Sequence, residues 1–162
     1  MGDDILSVIP TDPHWQPAPD AGKRAAALVL ELVSGSPDDA HTDPGDVGLD
    51  VDWYEAITAV DCGSNLLSIR CPHCAGSLDP EWYRDLLDAY DERGEGLPTL
   101  DITTPCCSTA TSLDRLDYDW PCGYARFEIA AWNPQRPPLT PEELTTVARA
   151  LGHPVRQILA RI

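Results

Sequence analysis

Cys71-Pro72-His73-Cys74 opens, and the adjacent pair Cys106-Cys107 closes, the stretch whose residue types could do chemistry. Thiols arriving two by two suit a tetrahedral zinc ion, since each pair turns tightly while the chain between them brings the pairs together. Pro72 tightens the entry to the first turn, and Gly76 lets backbone amides point at sulfur. Cys71, Cys74, Cys106 and Cys107 are therefore the predicted metal ligands. An all-thiolate set predicts a closed, structural zinc, because a catalytic zinc keeps one position for water. Neighbouring cysteines bind one metal only in a restricted backbone geometry. Cys62, Cys122 and His73 thus stay open as replacements for one ligand. Otherwise Cys62 and Cys122 read as small buried apolar residues.

A rival chemistry attaches to the same letters. Cys71-Pro72-His73-Cys74 is the active-site motif of disulfide-forming members of the thioredoxin superfamily, in which a helix N-terminus lowers the pKa of the first cysteine. Here Gly76-Ser77-Leu78-Asp79 follows, and the next helix is predicted only from Pro80. Thiol-disulfide oxidoreductase is the alternative function. Other constellations are weaker. Asp38, Asp39, Asp43, Asp46, Asp50 and Asp52 lack the glycine and closing glutamate of a calcium loop. They read as an exposed loop from Ser36 to Asp52. His14-Trp15 could line a pocket, though packing of Trp15 explains it as well. No phosphate loop, nucleophile elbow or His-Glu metalloprotease motif is present.

The elements that must position the cysteines follow from periodicity. Ile5 to Ile9 is a buried strand ended by Pro10, and a proline-rich loop leads to a helix from Asp20 to about Val33, with Asp20 as cap. Trp53 to Asp61 alternates as a strand. Asp61 to Asn65 turns, and Leu66 to Arg70 enters the first cysteine turn. Asp79-Pro80 starts a helix to about Arg93 with Trp82, Leu86 and Tyr90 as its stripe, widened by Tyr83 and Leu87, and Gly94 and Gly96 end it. Leu100 to Thr103 is a strand delivering Cys106. Ser112 to Trp120 holds a helical turn or a strand. Tyr124 to Trp132 alternates, with Ala125, Phe127, Ile129 and Ala131 on one face. Thr140-Pro141-Glu142-Glu143 is a capping box, stapled by Leu139 and Leu144, for a helix ended by Gly152. A second helix is predicted from His153 with Val155, Ile158, Leu159 and Ile162 as its stripe. No internal repeat is evident. The expected fold is α+β, a small sheet flanked by helices, with a zinc-knuckle module at about 66–122 inserted between strands and a C-terminal helical pair, all in one domain spanning 1–162.

Composition narrows the partners. Eleven basic residues face 27 acidic ones, a net charge of −16. That charge repels nucleic-acid phosphates and anionic membranes. Arg149, Arg156 and Arg161 make the one basic cluster, and they read as solvated partners of acidic neighbours. The acidic start Met1-Gly2-Asp3-Asp4 and the short apolar run after it predict neither export nor a membrane span, hence a cytoplasmic protein. In a reducing compartment, cysteines are metal ligands or redox groups before they are a disulfide framework.

Several segments together resemble a widespread family of small acidic bacterial proteins with CPxC and CC pairs. They are Val8-Ile9-Pro10-Thr11-Asp12-Pro13-His14-Trp15, the Cys71 turn, Thr104-Pro105-Cys106-Cys107, Leu116 to Pro121 with Gly123 to Phe127, and Leu151 to Ile158. Where that family has glycine after its CC pair, this chain has Ser108. The resemblance implies zinc binding in the cytoplasm and carries no activity with it. The function expected is a non-enzymatic zinc-binding protein that recognises a basic protein partner, in its sharpest form an immunity-like neutraliser of a toxin.

Overall fold

The computed structural model describes residues 3–34, 48–60, 62–93, 96–134 and 136–162. In chain order they form β1 (Asp4–Pro10), α1 (Pro19–Val33), β2 (Gly48–Val60), β3 (Ile69–Arg70), β4 (Ser77–Leu78), α2 (Pro80–Arg93) and β5 (Asp101–Thr103). There follow β6 (Ala110–Ser112), a 3-10 turn (Leu113–Arg115), β7 (Asp117–Tyr118), β8 (Gly123–Trp132), α3 (Pro141–Leu151) and β9 (Val155–Arg161). The fold is α+β, as the alternation of periods predicts.

The main sheet has four antiparallel strands in the order β2-β8-β1-β9. Leu6 and Val8 of β1 and Phe127, Ile129 and Ala131 of β8 meet Ala25, Val29 and Val33 of α1 and Val147 and Leu151 of α3. Both helices thus cover one face of the sheet. Burial of this apolar layer is the main driving force for it. A Cβ on Gly22 would sit 2.4 Å from Cζ2 of Trp53, so the first turn of α1 lies directly on the β2 indole. That helix opens with Pro19 at its first turn and no side-chain cap on Ala18. Asp20 supplies first-turn charge and is not the cap.

The capping box of α3 forms as read: Thr140 Oγ1 accepts from Glu143 N at 3.2 Å, and Glu143 Oε1 accepts from Thr140 N at 2.9 Å. Arg136 ties this carboxylate to α1 by donating both to Glu143 (2.5 and 2.7 Å) and to Leu32 O (3.3 Å). The Arg136 guanidinium, helped by the Thr140 amide, holds Glu143 well below the carboxylate range, at about 2.

Three expectations change. The predicted last helix is the edge strand β9, paired with β1 from Asp4↔Arg161 to Pro10↔Val155. Val155 and Leu159 join the helix-side core while Ile158 joins the other one. The apolar spacing at Val155, Ile158 and Leu159 fits a helical stripe as well as a strand, and pairing with β1 decides between them. The strand starting at Trp53 instead starts at Gly48, so Asp50 and Asp52 stand in β2 rather than in a loop. Positions 36–47, with His41, Asp38, Asp39, Asp43 and Asp46, lie outside the described residues, as do Asp61 and Gly94. Leu66 to Leu67 is not strand; only Ile69–Arg70 pairs.

Between β2 and β8 the chain leaves the main sheet. β4, β3 and β7 form one small sheet, and β5 and β6 another. The predicted α2 spans Pro80–Arg93, with Asp79 Oδ1 accepting from Glu81 N at 2.9 Å. Trp82, Leu86 and Tyr90 pack against the core as the stripe predicts, and Tyr83, which widens it, is the most buried aromatic of the helix, at 2% exposure. Its hydroxyl meets that of Tyr124 at 2.8 Å, and Tyr118 meets the same Tyr124 hydroxyl at 2.8 Å. Three tyrosines thus tether α2 and β7 to β8. Burial pushes the Tyr118 and Tyr124 phenols up, keeping them neutral donors.

Candidate metal centre

Each predicted ligand pair stands at the tip of a two-stranded hairpin. In the first, Arg70 and Ser77 close the β3–β4 ladder. Cys71 N donates to Gly76 O at 2.9 Å, and Ala75 N to Cys71 O at 3.0 Å. In the second, Thr103 and Ala110 close the β5–β6 ladder. Thr104 N donates to Thr109 O at 3.0 Å, and Ser108 N to Thr104 O at 2.9 Å. The two turns therefore superpose in register: Cys71-Pro72-His73-Cys74-Ala75-Gly76 on Thr104-Pro105-Cys106-Cys107-Ser108-Thr109. Ala75 and Ser108 hold the same left-handed conformation, at φ 57° and 55°. This is a short internal repeat, hidden because only Pro and the last Cys are shared.

The register explains the adjacent cysteines. Cys107 corresponds to Cys74, Cys106 takes the place of His73, and Thr104 takes the place of Cys71. The second turn so presents its two sulfurs from a shifted pair of positions. All four sulfurs lie within 4.8 Å of one another. The pairs Cys74–Cys106, Cys71–Cys107 and Cys106–Cys107 stand 3.4, 3.7 and 3.9 Å apart. A tetrahedral ion with metal–sulfur bonds of about 2.3 Å needs sulfurs about 3.8 Å apart. The cluster is compatible with one metal ion in all four thiols. A Cβ on Gly76 would stand 3.1 Å from Cys74 Sγ, so glycine leaves the sulfur its room there.

Backbone and hydroxyl donors surround these sulfurs. His73 N approaches Cys71 Sγ at 3.4 Å, and Gly76 N approaches Cys74 Sγ at 3.3 Å. Cys107 Sγ meets the Thr104 hydroxyl at 3.3 Å and the Thr109 hydroxyl at 3.2 Å. The Thr104 and Thr109 hydroxyls lower Cys107 to about 6, whereas desolvation and the Cys74 thiol push Cys106 up to about 12. The Cys74 amide lowers Cys71 against the upward pull of burial. Thr104, fully buried against the Cys107 sulfur, is the site neighbour that sequence reading missed; its alignment with Cys71 is the signal that would have found it.

The alternative ligands go elsewhere. Cys62 and Cys122 meet each other at 2.9 Å, at the root of the excursion, and the His73 ring is not among the converging groups. Among the described residues no further group of three His, Cys, Asp or Glu side chains converges. Cys71, 2% exposed, is followed by a turn and β4, not by the helix that would activate it as a redox thiol. Trp15 stacks on His153 with centroids 4.4 Å apart, which is the packing reading of that residue. Arg156 donates to Cys122 O at 3.2 Å and Arg161 pairs with Asp4 at 3.2 Å, so two members of the basic cluster are committed. Among the described residues no helix is long and apolar enough to cross a membrane. Compared with protein-family models, curated proteins and solved structures, the chain has no significant match.

Proposed function

We propose that Cys71, Cys74, Cys106 and Cys107 hold one structural zinc ion, and that the protein is a non-enzymatic cytoplasmic binding module for a basic protein partner. The all-sulfur donor set carries the zinc part: it suits a borderline-soft ion and leaves no ligand position for water. Bound there, zinc would cross-link two hairpins too short to be stable alone.

The part of the main sheet's second face that the inserted segment leaves uncovered supports the partner part. Opposite α1 and α3, a groove of about 300 Å³ has Ser7, Ala130 and Ala160 on its lining, with Asp50, Asp52, Glu128 and Trp132 beside them. Glu128 accepts from Ser7 Oγ at 2.5 Å and from Tyr54 Oη at 2.7 Å, while Trp132 Nε1 donates to Asp50 at 3.0 Å. Small residues in the lining and carboxylates held by neighbours suit an arginine side chain, which pairs with carboxylates in a fork and stacks on indole. A toxin-neutralising immunity role is the narrowest form of this reading.

Elemental analysis, with thiol counting before and after chelation, tests the metal: one zinc per chain and four thiols released are expected. No metal together with a Cys71–Cys74 disulfide under mild oxidant would replace it with oxidoreductase chemistry. For the partner, an arginine-rich peptide should bind and weaken as salt rises. The double variant Asp50→Lys/Asp52→Lys should lose that binding by tenfold or more. The charge-matched Glu31→Lys/Glu142→Lys, remote on α1 and α3, should change it little. Equal losses in both variants would reduce the groove to bulk charge.

A further inference from the structure

The other two cysteines form a second thiol site, independent of the metal reading. Cys62 follows β2 and Cys122 precedes β8, so they are the two stems through which the inserted segment leaves and rejoins the main sheet. Their sulfurs are 2.9 Å apart, nearer than the 3.4 to 3.9 Å separations within the four-cysteine cluster. That leaves roughly an ångström to the covalent S–S separation of about 2.05 Å. Both side chains are buried, at 0% and 4% exposure. Both sulfurs also lie over the Trp120 carbonyl, at 3.9 and 3.6 Å. Both stems are also bonded to β9: Arg161 N donates to Cys62 O at 3.4 Å, and Arg156 to Cys122 O at 3.2 Å.

We propose that Cys62 and Cys122 are a disulfide site that takes an oxidant of the peroxide class and locks the root of the inserted segment to the main sheet. One sulfur attacks a peroxide oxygen, the O–O bond breaks, and a sulfenic acid and one water form. The second sulfur attacks the sulfenic sulfur, the S–O bond breaks, and the second water leaves as the S–S bond closes. Two thiols are oxidised and one hydrogen peroxide is reduced to two waters. Trp120 and Pro121, which adjoin Cys122, are themselves exposed, so opening of that short turn admits a small neutral oxidant without unfolding the sheet.

The test treats the full chain, loaded with zinc, with stoichiometric hydrogen peroxide, then alkylates in denaturant and digests with trypsin without reduction. Tryptic peptides 25–70 and 116–126 carry Cys62 and Cys122 respectively and no other cysteine, so the linkage is read directly. Most chains should yield these two peptides joined and lighter by two hydrogens. Because the bond closes a long loop, the midpoint of thermal unfolding should rise by on the order of 10 °C, and dithiothreitol should reverse it. The variant Cys122→Ser should show no rise. Recovery of Cys62 and Cys122 both alkylated, or joined to the other four cysteines instead of each other, would overturn the proposal. The mapping is per cysteine, so a failed zinc assignment and a failed disulfide site give different peptides.

Discussion

Thr104 and Cys106 make the second hairpin tip unlike the first. Thr104 sits where the first tip has a sulfur, and its hydroxyl reaches Cys107 Sγ at 3.3 Å as well as Thr109 O at 3.3 Å. Removing that hydroxyl while keeping the shape, as in Thr104→Val, should weaken metal affinity by about tenfold, the lower end for a group that orients a ligand. Competition with a chromophoric chelator would read it, and an unchanged affinity would make Thr104 a packing residue only. Cys106→Ser goes further: retention of four-coordinate metal at full stoichiometry in that variant would exclude Cys106 from the site. A third residue-scale expectation concerns Tyr124, on whose hydroxyl both Tyr83 and Tyr118 lean. Tyr124→Phe removes a buried partner from two hydroxyls and should cost about 1–3 kcal/mol in a denaturant melt; a neutral substitution would mean that their other partners, Leu113 O at 2.5 Å for Tyr118, suffice.

Among the elements, α3 has the most complete local specification. Its capping box, first-turn proline and left-handed Gly152 at the C-terminus are all realised. Thr140→Ala should lower stability by about 1 kcal/mol. The ion pair adds a pH signature. Glu143 has a folded pKa near 2, below the roughly 4.3 of a free glutamate. Its contribution is therefore complete above that upper value and is lost as pH falls toward the lower one. Glu143→Gln should abolish that part of the acid-limb slope, and an identical slope in the variant would place the loss in other carboxylates. The hairpin tips were readable in the cysteine spacing, but their ladders, two or three residues each, are too short for any periodic signal. Ser112 to Trp120 turned out to hold both readings, a 3-10 turn followed by β7.

At the scale of the whole molecule, β1 lies inside the sheet only because β9 returns to its side. Deleting residues 155–162 would leave β1 as an unpaired edge beside an apolar layer, a template for self-association. Such a truncated chain should elute as soluble oligomers or aggregate, and a monomer of native stability would show that β9 is dispensable. The sheet also separates surfaces: helices cover one face, and Asp50, Asp52 and Glu128 line the groove on the other. Three of the 27 acidic side chains thus share one groove, a placement that composition alone does not specify.

Local patterns in the chain determine α1, α2, α3, β1 and β8 and point to the four cysteines that cluster, because caps, prolines, alternation and paired spacing act over a few residues. Only the tertiary structure decides the rest. Val155 to Arg161 satisfies either period, and its hydrogen bonds to β1, far away in sequence, make it a strand. Cys106 beside Cys107 is an awkward pair in isolation, and the register of its hairpin against the first one makes it usable. Cys62 and Cys122, 60 residues apart, meet because β2 and β8 are paired neighbours. Contacts across such separations depend on which surfaces pack together, and no short window of sequence carries that information.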